Sequence, residues 1–103
     1  MNHPDFRVGG RVFATLGYPD ARWGMVKLFP AQQRDFVAED PSAFVPVQGV
    51  WGQNGCTNIL LSAADPTRAH DAIHAAWRRA SVRAALEELE SPDASAQPRF
   101  RMG

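Results

Sequence analysis

The stretch Trp23-Gly24-Met25-Val26-Lys27-Leu28 decides the fold. Val26 and Leu28 alternate against Trp23 and Met25, which reads as a strand with two partly apolar faces. Ahead of it, Arg11-Val12-Phe13-Ala14-Thr15-Leu16 is rich in strand-forming residues, with Val12, Ala14 and Leu16 on one face and Phe13 on the other. Gly17-Tyr18-Pro19-Asp20 supplies the turn between these two strands. Phe6 to Val8 is a shorter strand turned back by Gly9-Gly10. Together these segments predict a three-strand antiparallel meander.

Working outward, Pro30 suits the first turn of a helix over Ala31 to Ala38, with Phe36 and Val37 on its inner side. Phe29 stands where a polar cap is usual, and Asp40-Pro41 marks the stop. Phe44 to Trp51 contains Pro46, which predicts an edge or irregular strand. Gly52-Gln53-Asn54-Gly55 predicts a hairpin turn into a fifth strand from Cys56 to Ser62. Asp65-Pro66 is a cap followed by Pro at the first helical position.

From Thr67 a helix follows, with Ala69, Ile73, Ala76, Trp77, Ala80 and Ala84 in one stripe. Ile73 and Trp77, central on it, are the expected anchors to the sheet. Val82, Leu86 and Leu89 fall out of phase, which predicts a break near Ser81 or a second face that meets another element. Residues 91–103 are small and polar at first and predict a disordered tail. The expectation is a single domain over 1–90 of order β-β-β-α-β-β-α. Its class is α+β: two layers, a five-stranded antiparallel sheet with helices packed on one face.

Composition narrows the function. The 103 residues carry 11 basic and 11 acidic side chains, so the formal charge is zero, which disfavours a strongly electrostatic nucleic-acid binder. Ten of the basic residues are Arg and one, Lys27, is Lys. Cys56 is the single cysteine, which precludes an internal disulfide and reads as a small buried hydrophobe. No apolar run approaches the ~20 residues of a membrane helix, and no signal-peptide core is present, so a soluble cytoplasmic protein without a membrane partner is expected.

Several motifs in this order resemble the MmcQ/YjbR family of small bacterial proteins. They are His3-Pro4-Asp5-Phe6-Arg7-Val8, Phe13-Ala14-Thr15-Leu16, Trp23-Gly24-Met25-Val26-Lys27-Leu28, Gln32-Gln33, Gly49-Val50-Trp51-Gly52 and Ala76-Trp77-Arg78. The resemblance runs from about residue 3 to 89. It implies an α-β(3)-α-β(2)-α plan, similar to type III secretion chaperones and to a CyaY-like sheet. It also implies DNA binding through a "double-wing" pair of hairpins. Family members begin with a further helix ahead of the His-Pro-Asp-Phe strand, whereas here that motif lies two residues after Met1. An uncovered apolar sheet surface follows. It would be shielded in a homodimer, through the sheet or the 82–90 segment, or the chain would be the truncated start of a longer product.

The candidate sites follow from this. If the hairpin tips are wings, Arg22 and Asn54 meet phosphate or a base edge; otherwise they are ordinary turn residues. Arg7, Arg11 and Lys27 lie on neighbouring strands and would follow a phosphate backbone, with Trp23 or Trp51 stacking on a base. The alternative is a solvated face over a small core. Arg78, Arg79 and Arg83 read as a helix-end cluster that opposes the dipole. His70 and His74 have helical ligand spacing but no third ligand, so no metal site is assigned. Asp35, Glu39 and Asp40 read as a charged helix end. No nucleophile–base pair and no phosphate-cradling loop is visible. The expectation is a non-enzymatic protein without cofactor that binds DNA weakly and in a salt-sensitive way. The alternative is a chaperone-like module that binds protein or peptide with an apolar sheet face.

Overall fold

The computed structural model describes residues 4–17 and 20–90. The tail expected over 91–103 lies outside the described residues, as do His3 and the turn residues Tyr18 and Pro19. The elements are β1 (Asp5–Val8), β2 (Arg11–Leu16), β3 (Trp23–Lys27), α1 (Pro30–Glu39), β4 (Phe44–Pro46), α2 (Val50–Gln53), β5 (Cys56–Leu60) and α3 (Pro66–Glu90). The strands form one antiparallel sheet in the order β1-β2-β3-β5-β4.

Register explains why one face is covered. Ala14 pairs with Val26, Gly24 with Ile59, and Ile59 with Phe44, so Ala14, Val26, Ile59 and Phe44 point to the same side. On that side they form one buried cluster with Phe36 of α1 and Ala72 and Ala76 of α3. Both long helices therefore sit on one face, as expected for this α+β class. α3 packs on β1, β2 and β3, and α1 packs on β4. The opposite face carries the in-register row Thr15, Met25, Asn58 and Val45, which is half-buried to exposed.

Three expectations need correction. The segment 44–51 is not one strand: β4 stops at Pro46, which has no N–H to extend the ladder, and it is an edge strand. The stretch 52–55 is not a hairpin turn, because Val50 to Gln53 coil into one helical turn with Asn54 at its C-cap. α3 runs unbroken through Ser81 to Glu90. Its buried residues are Ala72, Ala76 and Ala80, while Ile73 and Trp77 are 43% and 45% exposed. Small side chains let the helix lie close to the sheet, and the larger ones are turned to its flank. Val82, Leu86 and Leu89 are exposed.

Asp65 caps α3 as expected, its Oδ2 accepting the Arg68 N–H at 3.2 Å. At α1 the missing cap is replaced by Gln32, whose Oε1 accepts the Phe29 N–H at 3.2 Å. Among the described residues, no helix is long and apolar enough to cross a membrane.

Candidate functional site

The start of β2, the end of β3 and the start of β5 lie at one end of the sheet, where Lys27 pairs with Cys56. A cleft of about 710 Å³ opens there, between the 79–83 turn of α3, the start of α1 and the rim of α2. Arg11, Lys27, Arg79 and Arg83 line it, and among the described residues no carboxylate does. Arg79 and Arg83 are four residues apart on one helix and so share a face.

Each cation is held differently. Arg11 pairs with Glu87 of α3. Lys27, Arg79 and Arg83 have no carboxylate partner among the described residues. The Lys27 ammonium stands 5.7 Å from the centroid of the Trp51 ring, and the Arg79 guanidinium 5.3 Å from that of Phe29. The Nε atoms of Arg11 and Arg79 are buried with no hydrogen-bond partner among the described residues. Burial, and then the neighbouring Arg83, lower the Arg79 pKa, so this guanidinium gains from a bound anion. Cys56 also lines the cleft; burial pushes its thiol up, against the pull of Lys27 and Arg79, so it stays a thiol. The N-terminus of α1, at Phe29 and Pro30, adds the positive end of a helix dipole.

Trp51 reaches the rim because α2 folds tightly. A Cβ at Gly52 would lie 1.6 Å from the Val47 carbonyl oxygen, so only glycine allows this approach. The buried Gln33 of α1 fastens the turn, its Nε2 donating to the Gly52 carbonyl at 2.9 Å and to the Cys56 carbonyl at 3.1 Å. Trp51 itself remains 64% exposed.

Of the six residues that sequence reasoning nominates, four converge here: Arg11, Lys27, Trp51 and Asn54. Arg7 does not. It lies on the edge strand β1, where it pairs with Asp5 at 3.4 Å and donates to the Gly10 carbonyl. Arg22 lies at the opposite end of β2 and β3, where it forms a two-pronged pair with Asp20. Arg79 and Arg83, which the sequence places in a helix-end cluster, belong to the cleft. Their i,i+4 spacing was visible, but nothing in the sequence showed which element they face. His74 stacks on Trp77 at 5.8 Å, and no group of three metal-ligating side chains occurs among the described residues.

A second feature lies under the first turns of α3. Phe6, Leu16, Gly24, Leu61, Ala69 and Ile73 line an apolar groove of about 270 Å³. Comparisons of the chain with family models, with curated proteins and with solved structures find no match.

Proposed function

We propose that this is a non-enzymatic DNA-binding protein and that the cleft is its phosphate-binding surface. The observation that carries this is the gathering of Arg11, Lys27, Arg79 and Arg83 around one concavity that, among the described residues, no carboxylate lines. A zero net charge is compatible with it because several acidic side chains are paired away from the cleft, Asp5 with Arg7, Asp20 with Arg22, and Glu39 and Asp71 with Arg68, while of the four cleft cations only Arg11 has a carboxylate partner, Glu87, among the described residues. The resemblance to the MmcQ/YjbR family, with its DNA-binding label, supports the same reading. Three unpaired cations and the Glu87-paired Arg11 give weak binding, with a log–log salt slope no steeper than about −3 to −4. Titration of a labelled DNA oligonucleotide at low and moderate salt tests this. The double variant Lys27→Gln, Arg83→Gln should abolish measurable binding. Absence of binding by the unaltered protein at low salt would refute the proposal.

The apolar groove favours a second reading, a protein-interaction module that pairs with another copy of itself. Exposed Ile73 at the groove and Trp77 one turn further along α3 would form the contact. Light scattering decides this: a monodisperse monomer at high micromolar concentration excludes a stable homodimer.

A further inference from the structure

Resting on the DNA-binding proposal, we infer that the cleft takes a single-stranded nucleic acid, with Trp51 as the platform on which a base stacks. Three observations carry this beyond phosphate binding.

The first is shape. The cations converge on a concavity of about 710 Å³, the size of a small-molecule site. A flexible strand can lower one phosphate into such a space. A rigid duplex presents its phosphates on a convex surface, and only the rim of the cleft would meet them.

The second is the aromatic at that rim. Lys27 stands over the Trp51 ring, and Trp51 is the most exposed aromatic side chain of the described residues, at 64%. A base stacked there would have its phosphate beside Lys27 and within the field of Arg79 and Arg83. Cationic groove and stacking ring together are the pattern by which single strands are bound.

The third is what a duplex would need and lacks. The β2–β3 tip presents Arg22 already neutralised by Asp20, and the β4–β5 connection is a short helical turn packed on Gln33. Among the described residues neither tip offers an unpaired cation, whereas the cleft has three, Lys27, Arg79 and Arg83, beside the Glu87-paired Arg11.

The test uses the full chain in a Trp23→Phe, Trp77→Phe background, so that Trp51 is the only emitter. Probes are a 12-nucleotide oligo-dT, the matching oligo-U and a 12-base-pair duplex, each at low salt. The single strands should bind at least about tenfold more tightly than the duplex and quench Trp51. Trp51→Ala should weaken single-strand binding by about tenfold, within the range for losing one stacked base, and Trp51→Phe should restore most of it. Equal binding of oligo-dT and oligo-U places recognition on phosphate and base, and a preference for either assigns the sugar as well; both outcomes keep the inference. Duplex binding as tight as single-strand binding, or an unchanged Trp51 emission at saturation, would overturn it while leaving the DNA-binding proposal standing. Failure of all three probes to bind would overturn both.

Discussion

Gly9 in the β1–β2 turn lies directly against Ala84 of α3: a Cβ at residue 9 would stand 2.6 Å from the Ala84 Cβ. The backbone there has φ +57°, which L side chains avoid. Gly9→Ala should therefore lose about 2–4 kcal/mol of stability, from strain and overpacking together. Ala84→Gly removes the clash and should cost about 1 kcal/mol alone, as glycine within a helix does. In denaturant melts the double variant should be more stable than the sum of the two predicts. Strict additivity would show that α3 does not press on this turn.

Core truncations should separate two aromatics. Phe44 is 1% exposed and its ring lies 5.2 Å from that of Phe36, so Phe44→Ala should cost about 3–5 kcal/mol. Trp77 is nearly half exposed and should cost about 1 kcal/mol as Trp77→Ala. Chemical denaturation measures both. Equal losses would mean that Trp77 is covered in solution, as it would be in a homodimer.

Gln33→Leu deletes the two hydrogen bonds to the Gly52 and Cys56 carbonyls. Leaving buried acceptors unpaired should cost about 1–3 kcal/mol. Because α2 is fastened by this side chain, Trp51 emission should shift as well. A stability loss without a spectral change would place Trp51 independently of Gln33.

Glu87 competes with any anion for Arg11. Glu87→Gln should strengthen oligonucleotide binding by a few-fold and change stability by no more than about 1 kcal/mol, as for exposed pairs. Weaker binding would instead assign Glu87 the task of holding Arg11 in place.

The Arg22 side chain, by hydrogen bonding, holds Asp20 at about 2, down from an ordinary 3.8. The folded value lies below the unfolded one, so the pair's small contribution is present above pH ~4 and fades as the pH falls through about 2. An NMR titration should find the Asp20 midpoint near 2 and, in Arg22→Ala, near the ordinary carboxylate value. Oligonucleotide binding should be unaffected by Arg22→Ala, since this pair lies at the far end of the sheet from the cleft.

What the sequence determined by itself was local. The alternation in residues 11–16 and 23–28, the Gly9-Gly10 turn, Pro30 at a helix start and the Asp65-Pro66 cap all act through neighbouring residues. The strands and both long helices were legible for that reason. The segment 47–55 departs from the strand and hairpin expected of it because its helical turn is fixed by distant atoms: Gln33 on the Gly52 carbonyl, and the Val47 carbonyl against a residue with no Cβ. The apolar stripe of α3 centres on its large side chains Ile73 and Trp77, yet the buried residues are Ala72, Ala76 and Ala80, because close approach of helix to strands favours small residues at the contact. The cleft belongs wholly to tertiary structure. Arg11, Lys27 and Arg79 lie 16 and 52 residues apart in the chain, and a charge cluster becomes a site only when packing brings its members around one space.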